Sequence, residues 1–286
     1  MPAGEIVFDL RGVSYAYDGG QAAVDGVDLQ VRCGERVIVL GANGSGKSTL
    51  LKLMDGLYFP SSGQISYAGQ PLVEAAFASD AFHFSFRRQV GLVFQDSDVQ
   101  LFCPSVWDEV TFAPLQLGLP PDEVEERARR ALAALRIEPL ADRPPHRLSG
   151  GEKKRVALAS VLSLDPDVWL LDEPTAGLDP RTQSWLEDFI IAQGRAGKTI
   201  VAATHDVALA ESVADRVVVM DEAHRLAAQG SPGEILTDTA LLLACNLIHA
   251  HRHYHPEMHA EHSHPHLHRL GHDHTHPAAG DDRAAG

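Results

Sequence analysis

The chain has 286 residues, a formal charge of −15 with its 16 histidines counted neutral, 44% apolar and 22% charged residues. Such a length holds one large domain, or one domain with an appendage, around a substantial core. The acidic balance argues against a generic nucleic-acid binder. Three cysteines (Cys33, Cys103 and Cys245) with no CxxC spacing argue against a disulfide framework or a cysteine zinc site.

Taken in chain order, IVFDL, VSYAY and VDLQVR alternate as strands do, separated by Gly and Asp turns. The first residues do not read as a secretory signal, and no run reaches the ~18 apolar residues a membrane span needs. ERVIVL, 35–40, is a continuous apolar run suited to a buried parallel strand, and KSTLLKLMDGL then reads as a helix. GQISYAG, 63–69, is a short strand, and 73–88 is an apolar stretch with no assigned role. DEVEERARRALAALR, 122–136, has helical spacing after Pro120 and Pro121. DVWLLDE, TIVAATH and RVVVMDE are further strands, with the helix WLEDFIIAQGRAG between the first two. Strands alternating with helices predict a mostly parallel sheet covered on both faces, and the antiparallel-looking start predicts an extra β layer.

GANGSGKS, residues 41–48, matches G-x-x-x-x-G-K-[ST] between a predicted strand and a predicted helix. Glycines there let backbone N–H groups approach phosphate oxygens at the positive end of the following helix. Lys47 would reach the β- and γ-phosphates, and Ser48 would ligate Mg²⁺. The buried strand VWLLD ends in Asp172, a carboxylate able to hold Mg²⁺ through water. Glu173 follows and can polarise a water for in-line attack.

LSGGEKKRVALAS, 148–160, resembles the signature motif of the ABC-type ATPases. The other motifs of that family match in order: GANGSGKST, Gln95 in VGLVFQDSD, LLDEP, AGLD at 176–179, and His205 in VAATHD. The resemblance covers roughly residues 5–235, with Glu152 standing where many members have glutamine. It implies an α/β P-loop NTPase with a mostly parallel core sheet, an N-terminal antiparallel β subdomain and a helical signature subdomain. It also implies ATP and Mg²⁺ as ligands. Tyr17, Gly41, Ala42, Asn43, Gly44, Ser45, Gly46, Lys47, Ser48, Thr49 and Gln95 would bind nucleotide. Ser48, Gln95 and Asp172 would hold Mg²⁺, and Glu173 and His205 would be catalytic. Tyr15 competes with Tyr17 for the adenine, and the spacing to Lys47 favours Tyr17. Ser149, Gly150, Gly151 and Asp179 would complete the site of a second copy, in a head-to-tail ATPase dimer taken to be homomeric.

QDSDVQLFCPSVWDEVTFAPLQLGLP looks like the ATPases of energy-coupling-factor importers, which take up vitamins and transition metals. That resemblance implies a transmembrane coupling subunit, a substrate-binding membrane subunit and a peripheral place on the cytoplasmic face of the membrane. Val99, Leu101, Phe102, Val106 and Trp107 would seat an apolar helix of the coupling subunit.

After about residue 245 the composition changes, which divides the chain into an ATPase domain, 1–245, and a tail, 246–286, expected to be disordered. His249, His251, His253, His255, His259, His262, His264, His266, His268, His272, His274 and His276 recur mainly in H-x-H steps. Imidazole suits nickel, cobalt, zinc and copper, and an extended chain places every second side chain on one side. The tail is read as a flexible chelator of a transition metal, with storage, delivery and inhibition all open. Together these features point to an ATPase that energises import of cobalt or nickel. A vitamin importer is the alternative, and a soluble ABC ATPase unconnected with transport is a weaker one.

Overall fold

The protein is described here by a computed structural model covering residues 4–18, 20–255 and 260–266. In chain order, β1 (Ile6–Ala16), β2 (Ala22–Arg32) and β3 (Arg36–Gly41) precede α1 (Lys47–Met54), β4 (Ser62–Tyr67) and β5 (Gln70–Pro71). Then come α2 (Glu74–Phe77), α3 (Asp80–Gln89), β6 (Val90–Val93), α4 (Ser97–Gln100), α5 (Val106–Gln116), α6 (Pro121–Ala134) and α7 (Gly150–Leu162). The chain continues with β7 (Val168–Asp172), α8 (Pro180–Arg195), β8 (Thr199–Thr204), α9 (Val207–Val213), β9 (Arg216–Met220) and β10 (Leu226–Gly230). The last elements are α10 (Pro232–Thr237), α11 (Thr239–Ala244), β11 (His249–His255) and β12 (Ala260–His266).

Six strands form the central sheet in the order β10-β9-β3-β8-β7-β6, parallel except for the edge strand β10. β7 and β8 are buried at every residue, which is why they read as unbroken apolar runs. Period-two alternation divides their side chains between two cores. Val37, Val39, Leu170 and Val201 face α1 and the antiparallel sheet β2-β1-β4-β5. Ile38, Leu40, Trp169 and Leu171 face the helical side, with Val110 of α5, Leu132 of α6 and Val156 of α7. The architecture is thus α/β, a mostly parallel sheet with an antiparallel β layer on one side and a helical segment on the other.

The structure departs from the sequence reading at four places. IVFDL and VSYAY belong to one strand, β1, whose register against β2 shifts between Leu10 and Val13 around Gly12. Residues 73–88 lie in α2 and α3, where Phe77, Phe82 and Phe86 pack on one another and Phe86 meets Tyr67 edge-on, closing the core on the side of the antiparallel sheet. Arg87 ties α3 to α1 through the buried Asp55, at 2.7 Å; burial pushes that carboxyl up to about 6. At the other end, Cys245, Leu247 and Ile248 lie in the core, so packing runs past residue 245. In the segment expected to lack regular structure, β11 and β12 pair antiparallel. His259, His268, His272, His274 and His276 lie outside the described residues.

β1 and β4 approach closely where Gly63, at φ 78°, faces Gly12. A Cβ on Gly63 would sit 2.2 Å from the Gly12 carbonyl oxygen and 2.5 Å from that of Arg11. Gly63→Ala is therefore expected to destabilise the fold by about 2 kcal/mol or more. Gly69→Ala, at φ 76° but with nothing within 4 Å of its Cβ, should cost only the smaller backbone term. Urea denaturation of both variants measures the difference, and equal losses would show that the strand contact is not the cause.

Candidate active site

Parallel pairing sets the C-terminal ends of β3, β8 and β7 side by side, with Leu40 opposite Thr204 and Ala203 opposite Asp172. The loop leaving β3, the Asp172–Glu173 pair and His205 therefore meet at one edge of the sheet, the usual place for a ligand crevice in such folds. The crevice is a cleft of about 370 Å³ lined by Tyr17, Asn43, Gly44, Gly46, Lys47, Ser48, Thr49, Gln95 and Glu173.

Gly46 precedes α1 at φ 101°, and a Cβ there would lie 2.0 Å from the Ala23 carbonyl oxygen, so only glycine fits. Lys47 is buried, and its Nζ donates to the carbonyls of Gly41 (2.8 Å) and Ala42 (3.0 Å). The same ammonium is 3.3 Å from Glu173 Oε1, an ion pair without hydrogen-bond geometry. Ser48 Oγ donates to Asp172 Oδ1 at 2.8 Å. Burial raises the Asp172 carboxyl above its ordinary value, and the Ser48 hydroxyl works against that rise.

Glu173 is buried in the left-handed region at φ 40°, a conformation costing a non-glycine residue about 1–2 kcal/mol. Its amide is held by the Ala203 carbonyl at 2.8 Å. Its Oε2 accepts from Thr204 Oγ1 at 3.1 Å and lies 3.0 Å from His205 Nδ1. Its Oε1 is buried with no hydrogen-bond partner among the described residues, and is thus available to a water or ligand in the cleft. Amides of a glycine-rich loop, a lysine, a hydroxyl beside a carboxylate, and a second carboxylate with one unsatisfied oxygen suit a magnesium nucleotide triphosphate.

The chain is similar to known proteins. The family model described as ABC transporter matches residues 24–176. A nickel import ATP-binding protein, NikO, of Rhodobacter capsulatus is 53% identical over 244 residues, 84% of this chain and 95% of its own length. The chain belongs to the ABC transporter ATP-binding family.

An energy-coupling factor transporter ATP-binding protein of Methanothermobacter thermautotrophicus is 41% identical, over 84% of this chain and 76% of its own length. A Clostridium perfringens structure described as part of the ABC transporter complex cbiONQ aligns at TM-score 0.71 and 38% identity, covering 85% of this chain and 95% of that one. Another cassette, described as dimeric and bound to ADP and Pi, aligns at TM-score 0.71 and 26% identity, over 79% of this chain and 98% of that one. As a member of the family the chain is an ATP hydrolase that uses ATP with Mg²⁺.

Within this ABC ATPase, Tyr17 and not Tyr15 faces the phosphate loop: its hydroxyl is 3.0 Å from Thr49 Oγ1, while Tyr15 stacks on Tyr58 at 5.2 Å. Ser149, Gly150, Gly151 and Asp179 do not line the cleft. They gather elsewhere, with Asp179 Oδ2 4.0 Å from a Cβ built on Gly151. Ser149 caps α7 in a capping box with Glu152, whose carboxyl is held low by the Ser149 amide and hydroxyl. Asp179 caps α8 through the Thr182 amide, at 3.0 Å.

The apolar groove differs from the expected set. Leu101 and Val106 are core residues and Trp107 packs partly against that core, because the helical period of α5 turns Val106 and Val110 inward. Val99 and Phe102 stay about two-thirds exposed, and α5 adds Phe112 and Leu115 on its outer face. Phe112 packs edge-on to Phe102 with ring centres 4.9 Å apart. Buried Glu109 holds the loop that presents Phe102, accepting from the amides of Phe102 (3.0 Å) and Cys103 (2.7 Å).

Sequence reasoning missed Lys154. It is buried on α7, and its Nζ donates to the carbonyls of Phe94 (3.0 Å) and Gln95 (3.2 Å). Burial lowers its ammonium to about 8, against the pull of Asp172, Glu173 and Asp96. Gln100 joins the same strands of contact, donating to the Ala157 carbonyl at 2.9 Å and accepting from the Phe94 amide at 3.1 Å. The signature helix therefore grips the backbone of the Gln95 loop. A lysine at a helical position carries no spacing that marks this contact. Lys154→Met should leave ATP binding near wild type and lower turnover about tenfold, a barrier change of ~1.4 kcal/mol. Lys154→Gln, which retains an N–H donor, should keep more of it. Steady-state kcat and KM separate the two, and a pure KM effect would rule out loop positioning.

Proposed function

We propose that this chain drives a membrane importer of a divalent transition-metal ion, nickel or cobalt, as its ATP-hydrolysing subunit on the cytoplasmic face. One observation carries the coupling to a membrane partner. The exposed apolar shelf of Val99, Phe102, Phe112 and Leu115 continues from the loop that places Gln95 at the cleft. An apolar helix seated on that shelf would feel any movement of the loop. A transmembrane coupling subunit fits that description, with a substrate-binding membrane subunit beside it. Among the described residues no helix is long and apolar enough to cross a membrane, so the path for the ion belongs to such partners. The cargo reading is supported by the nickel import relative and by the histidine-rich tail, which we read as a ligand for nickel or cobalt.

In this reading the loop amides from Gly41 to Thr49 and Lys47 bind the phosphates, and Tyr17 stacks on the base. Ser48, Gln95 and Asp172 hold Mg²⁺, which when bound neutralises charge on the phosphate oxygens. Glu173 Oε1 takes the proton of the attacking water while Thr204 and His205 fix Oε2. His205, half-exposed beside Glu173, contacts the terminal phosphate. Ser149, Gly150, Gly151 and Asp179, which stand away from their own cleft, complete that of a second copy. A head-to-tail homodimer then has two composite sites, and the dimeric cassette of similar fold supports this arrangement. The second reading is vitamin import, favoured by the energy-coupling factor relative.

Glu173→Gln should bind ATP as wild type does and lose turnover by on the order of 10²-fold or more; normal hydrolysis by the variant would remove Glu173 from its role. In cells expressing the chain with its neighbouring membrane subunits, uptake of labelled nickel and of labelled cobalt is compared for wild type, Glu173→Gln and a truncation after Ile248. Loss of one metal's uptake in Glu173→Gln names the cargo. Equal accumulation of both metals in wild type and variant overturns the metal reading and turns the same assay to vitamins. The truncation, placed to spare buried Leu247 and Ile248, shows whether transport needs the tail.

A further inference from the structure

Tyr17 lies just past the end of β1, beyond the last pair of its ladder with β2, Ala16 opposite Ala22. The sheet therefore does not set the direction of its side chain. Two other rings do. Tyr15 and Tyr58 are stacked, with centres 5.2 Å apart and planes 8° from parallel. The Tyr17 ring stands nearly perpendicular to both, 5.2 Å from Tyr15 and 5.7 Å from Tyr58. Its hydroxyl makes a further contact, 3.0 Å from Thr49 Oγ1 on α1. Together these contacts fix the plane of the ring. Tyr17 is nonetheless 44% exposed and lines the cleft, whereas Tyr15 and Tyr58 are partly buried against the core on the side of the antiparallel sheet.

We propose that Tyr58 is a positioning residue for the nucleotide base: with Tyr15 stacked on it, it holds Tyr17 in the plane on which the base stacks. The proposal rests on the reading of Tyr17 as the base-stacking ring and adds what orients it. Tyr58 does not line the cleft, so its influence on the base passes through Tyr17. It is placed by the helix that opens with Lys47 and Ser48. Where α1 ends, the amides of Leu57 (2.9 Å) and Tyr58 (3.3 Å) both donate to the Lys52 carbonyl. Lys52 Nζ also lies 5.7 Å from the centre of the Tyr58 ring, within cation–π range. One helix thus carries phosphate-binding residues in its first turn and, just past its last, the ring that orients Tyr17. Aromatic pairs at these separations attract beyond the area they bury. A ring already ordered when the nucleotide arrives loses little freedom on stacking, and the saving appears as affinity.

The test compares a ligand that has a base with one that lacks it. Binding of Mg²⁺-ATP and of Mg²⁺-tripolyphosphate to the full chain is measured by calorimetry, and steady-state kcat is taken beside it. The variants are Tyr17→Ala, Tyr58→Leu, Tyr58→Met, Tyr58→Phe and the double change Tyr17→Ala with Tyr58→Leu. Tyr58→Leu and Tyr58→Met should weaken ATP binding by about three- to tenfold, with tripolyphosphate binding and kcat near wild type. Tyr58→Phe keeps the ring and should bind ATP as wild type does. The double variant should bind ATP no more weakly than Tyr17→Ala alone, because Tyr58 then has no ring to orient. An equal loss of ATP and tripolyphosphate binding in Tyr58→Leu and Tyr58→Met would show that Tyr58 only supports α1, and would overturn the proposal. Normal ATP binding in both, with weak binding in Tyr17→Ala, also overturns it but leaves Tyr17 as the base-stacking ring. If Tyr17→Ala itself binds ATP normally, the base-stacking reading falls and the proposal with it.

Discussion

Lys47 lies 3.3 Å from Glu173 Oε1, while the next residue, Ser48, donates to Asp172 at 2.8 Å. One buried cation and two buried carboxylates share this corner, and isolated burial of any of them would cost several kcal/mol. They are compensated by each other, by the carbonyls of Gly41 and Ala42, and by Thr204. That compensation requires the ends of β3, β7 and β8 to be neighbours. The strand order is therefore a condition of the chemistry, and the left-handed backbone of Glu173 is strain that the Ala203 carbonyl holds in place. A nucleotide's phosphates would enter a corner already arranged for charge, with one carboxylate oxygen still unsatisfied.

From that corner a continuous path of polar contacts reaches the surface. Gln95 lines the cleft; its carbonyl and that of Phe94 are held by Lys154 on α7. Gln100, a turn further on, grips both Phe94 and the same helix. Phe102 follows two residues later, its amide on Glu109 of α5. The signature helix, the loop and the exposed shelf are thus fastened to one another by partly buried hydrogen bonds, whose donors and acceptors are costly to leave unpaired. In the proposed dimer, where α7 would carry Ser149, Gly150 and Gly151 to the other copy's cleft, Lys154 would link the state of that site to the Gln95 loop of its own chain.

The phosphate loop, the buried strands and the carboxylate pair were legible because their constraints are local. Gly46 has no room for a Cβ, and VWLLD must be apolar because both its faces are covered. Tyr17 was separable from Tyr15 by its distance along the chain from Lys47, and Thr49 turned out to be the residue its hydroxyl meets. What stayed hidden depends on contacts between distant segments. Val106 and Phe112 look alike in a list of apolar residues; only the rotation of α5 against α7 buries one and leaves the other about two-fifths exposed. Lys154 reads as a surface lysine in a basic run, and only the fold shows carbonyls waiting for it. Phe77, Phe82 and Phe86 had no evident purpose until Tyr67 and Arg87 were seen beside them.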